Sequence, residues 1–283
     1  MMQAELFNNI RCIVGEGPVW DAEKNRMLFL DIRGQKIISV ERPTGKEETI
    51  HLPQRIGCFA LCEKGGLIAG LTDGVYFINE DNTLSLAHLP VKIKGDRFND
   101  GKIGPDGAFY LGTSASDGKG AFYRLKNGVL AELFDGVTCS NGLDWTEDGT
   151  RMYYIDTPRQ MIEMFDFDVA CGTLSNRRKF MDIPKTWGLP DGMTKDRDDH
   201  LWVALWDGGS VIQIDKNTKQ VINRIDLPCP RASCPAFGGD HGEELFITTA
   251  AFGNEQNESA GKTYKIKTVA RGGTVYKYRE EIV

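Results

Sequence analysis

The chain lacks most of what would tie it to a membrane or to nucleic acid. No run of about 18 apolar residues occurs, so no transmembrane helix is expected. The first twenty residues, MMQAELFNNIRCIVGEGPVW, have no basic stretch followed by an apolar one, so no secretory signal is expected. Basic residues do not cluster beyond short pairs such as Arg177-Arg178, and the net charge is −6. Both features argue against a nucleic-acid partner, which needs a concentrated cationic surface. None of the seven cysteines forms a C-x-x-C pair, and Cys58 and Cys62 have no matching Cys or His cluster. Structural zinc wants four such ligands. The cysteines therefore read as buried thiols of a protein in a reducing cytoplasm. The segment TCSNG around Ser140 is not a G-x-S-x-G elbow, and no phosphate-binding Gly-Lys-Ser/Thr motif exists. His51, His88, His200 and His241 make no spaced metal pair. The stretch from Asp144, DWTEDG, begins like a calcium loop but places Ile155 where the closing glutamate belongs.

Long amphipathic helical patterns are scarce too. What is present is a soluble composition, 41% hydrophobic and 26% charged. A length of 283 residues suits one large domain or two small ones. Short β-rich runs such as RMLFLDIRGQKIISV, GAFYLGTS, RMYYIDT and HLWVALWDGGSVIQID alternate with Gly, Asp and Asn turns. They have a longer period. GEGPVWDAEKNRMLFLD, FNDGKIGPDGAFYLGT, SNGLDWTEDGTRMYYIDT, PDGMTKDRDDHLWVAL and PAFGGDHGEELFITTA each run from a small polar cluster through a strand and a turn into a stronger strand. Glu16, Asn99, Asn141 and Asp191 hold comparable places, spaced 83, 42 and 50 residues apart. The first gap hides a unit starting near IGCFALCEKGGLIAGL, and a sixth starts near Ala236.

Units of roughly 40–50 residues with four strands each are the mark of a β-propeller. The expected fold is all-β, a single six-bladed propeller domain over residues 1–283, with four-stranded antiparallel blades. Two separate β-sandwiches are the alternative, but they leave the recurring polar clusters unexplained. A ring of blades hides its edges, so a monomer is expected. Either terminal segment, the first dozen residues or TVYKYREEIV, could supply the strand that closes the ring.

In a propeller the innermost strands all begin at one end of the channel. Glu16, Arg97, Asn99, Asn141 and Asp191 would ring that mouth. Singly, Asn141-Gly142 and Asp191-Gly192 are ordinary turn pairs. At one phase of a repeat, two carboxylates and one or two amide oxygens make a hard-oxygen set suited to Ca²⁺, Mg²⁺ or Mn²⁺. Too few ligands remain to saturate the ion, which leaves room for water and substrate. Alternation along a strand puts Arg97 and Asn99 on one face and Phe98 and Asp100 on the other. Trp187 and Trp206 lie near the mouth, where packing is their ordinary role. The turns GPDG and TEDG belong to the opposite face and carry no chemistry.

The segments GEGPVW, RFNDGKIGPDG, SNGLDWTEDGTRMYYIDT, PDGM and FGGDHGEELFITTA, in this order and across nearly the whole chain, resemble the regucalcin/gluconolactonase (senescence-marker-protein) family. The resemblance implies a six-bladed propeller holding one divalent cation, whether Ca²⁺, Zn²⁺, Mg²⁺ or Mn²⁺, and a sugar (aldono-) lactone as the small-molecule substrate. It places the metal ligands on Glu16, Asn141 and Asp191, the substrate contacts on Arg97 and Asn99, and the catalytic base on Asp191. In that family a longer loop with a glutamate often follows GTSASDGKGAFYRL. Here no glutamate occurs between Asn99 and Glu132, which implies a wider substrate space. A calcium-binding regulatory propeller without hydrolase activity, and a hydrolase of other esters or phosphotriesters, are the alternatives.

Overall fold

Apolar runs broken by Gly, Asp and Asn turns fold as consecutive hairpins, because a strand pairs most readily with the next strand in the chain. The computed structural model describes residues 2–88 and 92–280. Its strands form six antiparallel blades, so the protein is a six-bladed β-propeller. The blades run over residues 15–51, 56–86, 97–137, 140–182, 189–226 and 232–267, in chain order. The second begins at Ile56, as the hidden unit required, and the sixth begins at Ala232.

Burial falls across each blade. In blade one the first three strands are mostly buried, whereas the outer strand Glu47–His51 is almost wholly exposed. Inner strands are covered on both faces by neighbouring blades and therefore read as continuous apolar runs. Outer strands meet solvent and take charge.

By their packing the residues group into two compact units. One comprises Met1–Pro53 and Met181–Thr274 and carries blades one, five and six. There the first strands Leu189–Lys195, Ala232–Gly238 and Gly15–Asp21 lie side by side in that order. Trp20 stacks on Phe246 at 5.8 Å, and Trp202 meets Phe237 edge-on at 5.6 Å. The other unit, Gln54–Phe180 with Val275–Val283, carries blades two to four as far as Phe180. Its first strands Ile56–Leu61, Arg97–Ile103 and Ser140–Trp145 are likewise adjacent. Tyr110 meets Trp145 at 5.0 Å and Phe122 meets Tyr154 at 5.1 Å, joining blades three and four through aromatic contacts.

The chain's start supplies the completing strand. Glu5–Leu6 pairs antiparallel with Tyr264–Lys267 as the fourth strand of blade six, and Met2–Gln3 runs parallel to the edge of blade five. The final segment instead lies along blades two and three. The Tyr278 N–H donates to Leu61 O at 2.8 Å and that of Arg279 to Gly107 O at 3.0 Å. The last residues of TVYKYREEIV, 281–283, lie outside the described residues.

Among the described residues no helix is long and apolar enough to cross a membrane. All seven cysteines are free. Burial pushes the thiols of Cys12 and Cys62 up to about 12 and that of Cys58 well above its usual range, so these side chains behave as apolar filling.

Candidate metal and substrate site

Every blade breaks register at the same level. Between its first and second strands one extra residue enters the first strand: after Glu16, Ile56, Phe98, Asn141, Pro190 and Ala232. Such a β-bulge bends the strand and re-aims the side chains beside it. Glu16 and Asn141 are the last paired residues before their bulges; Asn99 and Asp191 fall inside theirs. The other two bulges carry Gly57 and Ser233. The shared phase of the polar clusters therefore has a structural cause. Glu16, Asn99, Asn141 and Asp191 are all buried, between 5% and 9% exposed. Polar groups kept from water at that level need partners, whether protein, water or an ion.

The bulges of neighbouring blades also touch. In the unit of blades five, six and one, a Cβ on Gly192 would overlap Cys234, coming 2.8 Å from its Cα. Only glycine lets Asp191 approach the next blade this closely. Ser233 then donates its hydroxyl to Gly15 O at 2.6 Å, one residue before Glu16. The Glu16 carboxylate accepts from the N–H of its neighbour Gly17 at 2.8 Å. In the unit of blades two, three and four, Gly57 packs beneath the Phe98–Asn99 peptide. Asn99 Nδ2 donates to Ser140 O at 2.7 Å and lies 3.6 Å from Cys139 Sγ. Asn141 Nδ2 donates to Thr157 Oγ1 at 3.0 Å, and its Oδ1 accepts from Gly142 N at 3.2 Å. Thus Asn99 and Asn141 are held by adjacent strands, and each amide is oriented by named contacts.

Two further carboxylates position these strands, and sequence reading passed over them. Asp31, 1% exposed, accepts from Ile13 N at 2.9 Å, Val14 N at 3.0 Å and Gly34 N at 3.0 Å. Asp156, 2% exposed, accepts from Cys139 N at 2.8 Å and Thr138 N at 3.2 Å. Each stands 15 residues after its partner, Glu16 or Asn141, in LDI and IDT. That common offset was the available signal. Replacing Asp31 with Ala leaves three backbone N–H groups without their acceptor. We expect urea unfolding to show a loss of about 3 kcal/mol, since each orphaned donor costs ~1–3 kcal/mol. A loss below about 0.5 kcal/mol, the scale of a neutral surface change, would assign Asp31 no such role.

Alternation holds only up to the break. Phe98 is fully buried and meets Tyr123 at 5.9 Å. Arg97 is half-buried and donates from Nη1 to Phe98 O at 2.8 Å. Asp100 accepts from Gly101 N at 2.7 Å. Burial pushes its carboxyl up to about 6, while Lys102 pulls the other way. Lys102 Nζ pairs with Asp144 Oδ2 at 2.8 Å, joining blades three and four. DWTEDG is thus no calcium loop: Asp144 lies in a strand and faces an ammonium. Trp187 lies in the short 3-10 turn Lys185–Trp187, and the Trp206 ring carries the Arg231 guanidinium at 4.8 Å.

Among the described residues no three His, Cys, Asp or Glu side chains gather as a metal cluster. Within the unit of blades one, five and six, the buried carboxylates of Glu16 and Asp191 are oxygen donors of the kind a hard cation takes.

Fold and bulge residues together define the class: a six-bladed propeller with oxygen donors on its inner strands. The chain belongs to the SMP-30/gluconolactonase/LRE-like family, whose model matches residues 14–251. It is 34% identical over 279 residues to regucalcin of Xenopus laevis, covering 91% of this chain and 93% of that protein. It is 37% identical over 255 residues to YvrE of Bacillus subtilis (strain 168), which is named as a proposed sugar lactone lactonase, covering 88% of this chain and 87% of YvrE. Among solved structures, the calcium-binding protein regucalcin from Agrobacterium tumefaciens superposes with a TM-score of 0.90 at 24% identity, over 98% of each chain. A gluconolactonase from Xanthomonas campestris superposes with a TM-score of 0.75 at 22% identity, over 91% of this chain and 86% of the other.

Proposed function

We propose that the protein hydrolyses a sugar lactone to the aldonic acid with the help of one divalent cation. Four polar side chains at the same bulge of four inner strands are the observation that carries this reading. Kinship with YvrE, and the name that protein bears, supports the substrate class. Glu16, Asn141 and Asp191 would hold the cation, and Arg97 and Asn99 would contact the sugar. The whole chain, residues 1–283, would act as one propeller domain and one monomer.

A lactone is a cyclic ester. When bound, the cation supplies Lewis acidity, polarising the carbonyl and lowering the pKa of a water. Asp191 takes the proton of the attacking water as the new C–O bond forms. As the ring C–O bond breaks, Asp191 returns that proton to the departing ring oxygen. Arg97 offers N–H donors to oxygens that gain charge or to sugar hydroxyls. Asn99, its Nδ2 engaged by Ser140 O and Cys139 Sγ, would present its amide oxygen in one orientation as the acceptor for a sugar hydroxyl. The product acid then ionises, so turnover is read as proton release.

A pH-indicator assay on a panel of aldonolactones, run with chelator and then with Ca²⁺, Zn²⁺, Mg²⁺ or Mn²⁺ restored, tests this reading. Activity should vanish on chelation and return with the ion. Arg97→Gln should raise KM about tenfold, the scale of a charge-assisted hydrogen bond, while cation binding by calorimetry stays unchanged. Loss of the cation in that variant would mean Arg97 belongs to the metal set. Cation binding without turnover of any lactone would favour a regulatory calcium-binding role, in keeping with the Agrobacterium neighbour.

A further inference from the structure

We infer that the lactone this protein takes carries an anionic group, a carboxylate or a phosphate, and that Arg33 receives it. The inference rests on the lactonase reading above and deepens it. It comes from the loops beside Glu16 and Asp191 in the unit of blades one, five and six.

Three of these loops meet in one stack. Arg33 follows Asp31, which pairs with Gly15 at the start of the Glu16 strand. Trp206 pairs with Leu189, two residues before Asp191. Phe252 donates its N–H to Ile13 O at 2.9 Å. The Arg33 guanidinium lies 3.7 Å over the Phe252 ring. Arg231 sits 5.6 Å from that same ring and 4.8 Å from Trp206. Its Nε bonds Asp207 Oδ1 at 2.8 Å, and its Nη1 donates to Phe252 O.

The arginines at this end differ in what they have left to give. Arg231 is committed to Asp207 and Phe252 O. Arg11 is committed to the carbonyls of Ala260, Glu255 and Asn257. Arg33 is exposed and makes no hydrogen bond or ion pair among the described residues; the Phe252 ring is its contact. Stacking holds one flat face of the guanidinium and leaves its N–H edge free. A pre-oriented edge of this kind suits bidentate pairing with carboxylate or phosphate, at less entropic cost than a free side chain. Three carboxylates of these loops have partners of their own: Asp207 pairs with Arg231, Asp31 accepts from three backbone N–H groups, and Glu255 accepts from Gly253 N at 2.8 Å. In a chain of net charge −6, an uncommitted cation on a loop of the Glu16 blade offsets the repulsion an anionic substrate would meet.

The test uses the full chain with its cation present and three lactones: D-glucono-1,5-lactone, D-glucaro-1,4-lactone and 6-phospho-D-glucono-1,5-lactone. The wild type should favour one of the two charged lactones over the neutral one by about tenfold or more in kcat/KM, a preference that fades with salt. Whichever charged lactone leads identifies the anion. Arg33→Gln should remove about tenfold from that substrate, through KM, and leave the neutral lactone within about twofold; Arg33→Lys should fall between. Equal loss on charged and neutral lactones, or no loss, overturns the inference. If no lactone is hydrolysed, the lactonase reading fails separately. Calorimetry with glucarate and with 6-phosphogluconate, each against gluconate, then decides: an Arg33-dependent preference for either of the two upholds the anion site, and its absence for both overturns it.

Discussion

Asp191→Asn should abolish lactone hydrolysis while leaving the fold intact. The substitution keeps the side chain's shape but removes the negative charge and the basic oxygen. General base catalysis contributes roughly 10²–10⁴ in rate, and here the same residue is also assigned to the cation. We expect kcat to fall by at least about 10³, and calorimetry to show weakened cation binding. The fold should survive because Asp191 sits on a bulge held by backbone contacts. Glycine at 192 remains to pack on Cys234, and the Leu189–Lys195 strand keeps its ladder. A variant that hydrolyses lactones within twofold of the wild-type rate would remove Asp191 from the chemistry. Asp191→Ala separates the two roles further. If added cation at high concentration restores part of the binding but none of the turnover, the base function stands apart from ligation.

Gly57→Ala should be the most damaging single methyl in the blade two to four unit. Its Cβ would land on the Phe98 carbonyl and come 2.8 Å from Asn99 N. Both neighbours are backbone inside a bulge, so no side chain can swing aside. Overpacking against backbone costs about 1–3 kcal/mol or more, and relief requires moving the segment that carries Arg97 and Asn99. We expect unfolding in urea to show a loss of about 3 kcal/mol, with KM for the lactone raised in whatever protein remains folded. The bulge position itself tolerates a Cβ, since blade six carries Ser233 there. What forbids it in blade two is the approach of blade three. Unchanged stability and unchanged KM would show that the two strands are farther apart than the structure places them.

The hidden second blade was legible in the sequence because its strands Ile56–Leu61 and Leu67–Leu71 keep apolar patterning without a polar mark. The polar clusters of blades one, three, four and five were legible as a phase, yet the bulge that explains the phase was not. A bulge is one unpaired residue against a partner strand, and no composition rule announces it. Alternation separated Phe98 from Asn99 correctly, but could not track the chain past the break to Asp100. The pair of Lys102 with Asp144 was invisible because its members lie 42 residues apart on strands of different blades. Asp31 and Asp156 read as strand ends, and only their hydrogen bonds show them holding the inner strands in place.

By itself, then, the order of amino acids determined the number of blades, the antiparallel hairpins and the level at which polar residues recur. Strand period and turn chemistry are local, and they repeat. Which terminus completes blade six, why glycine is required at 57 and 192, and how Arg33 comes to rest on Phe252 were decided only in three dimensions. Each depends on the distance between backbones far apart in the chain, and that distance exists only after the blades have packed.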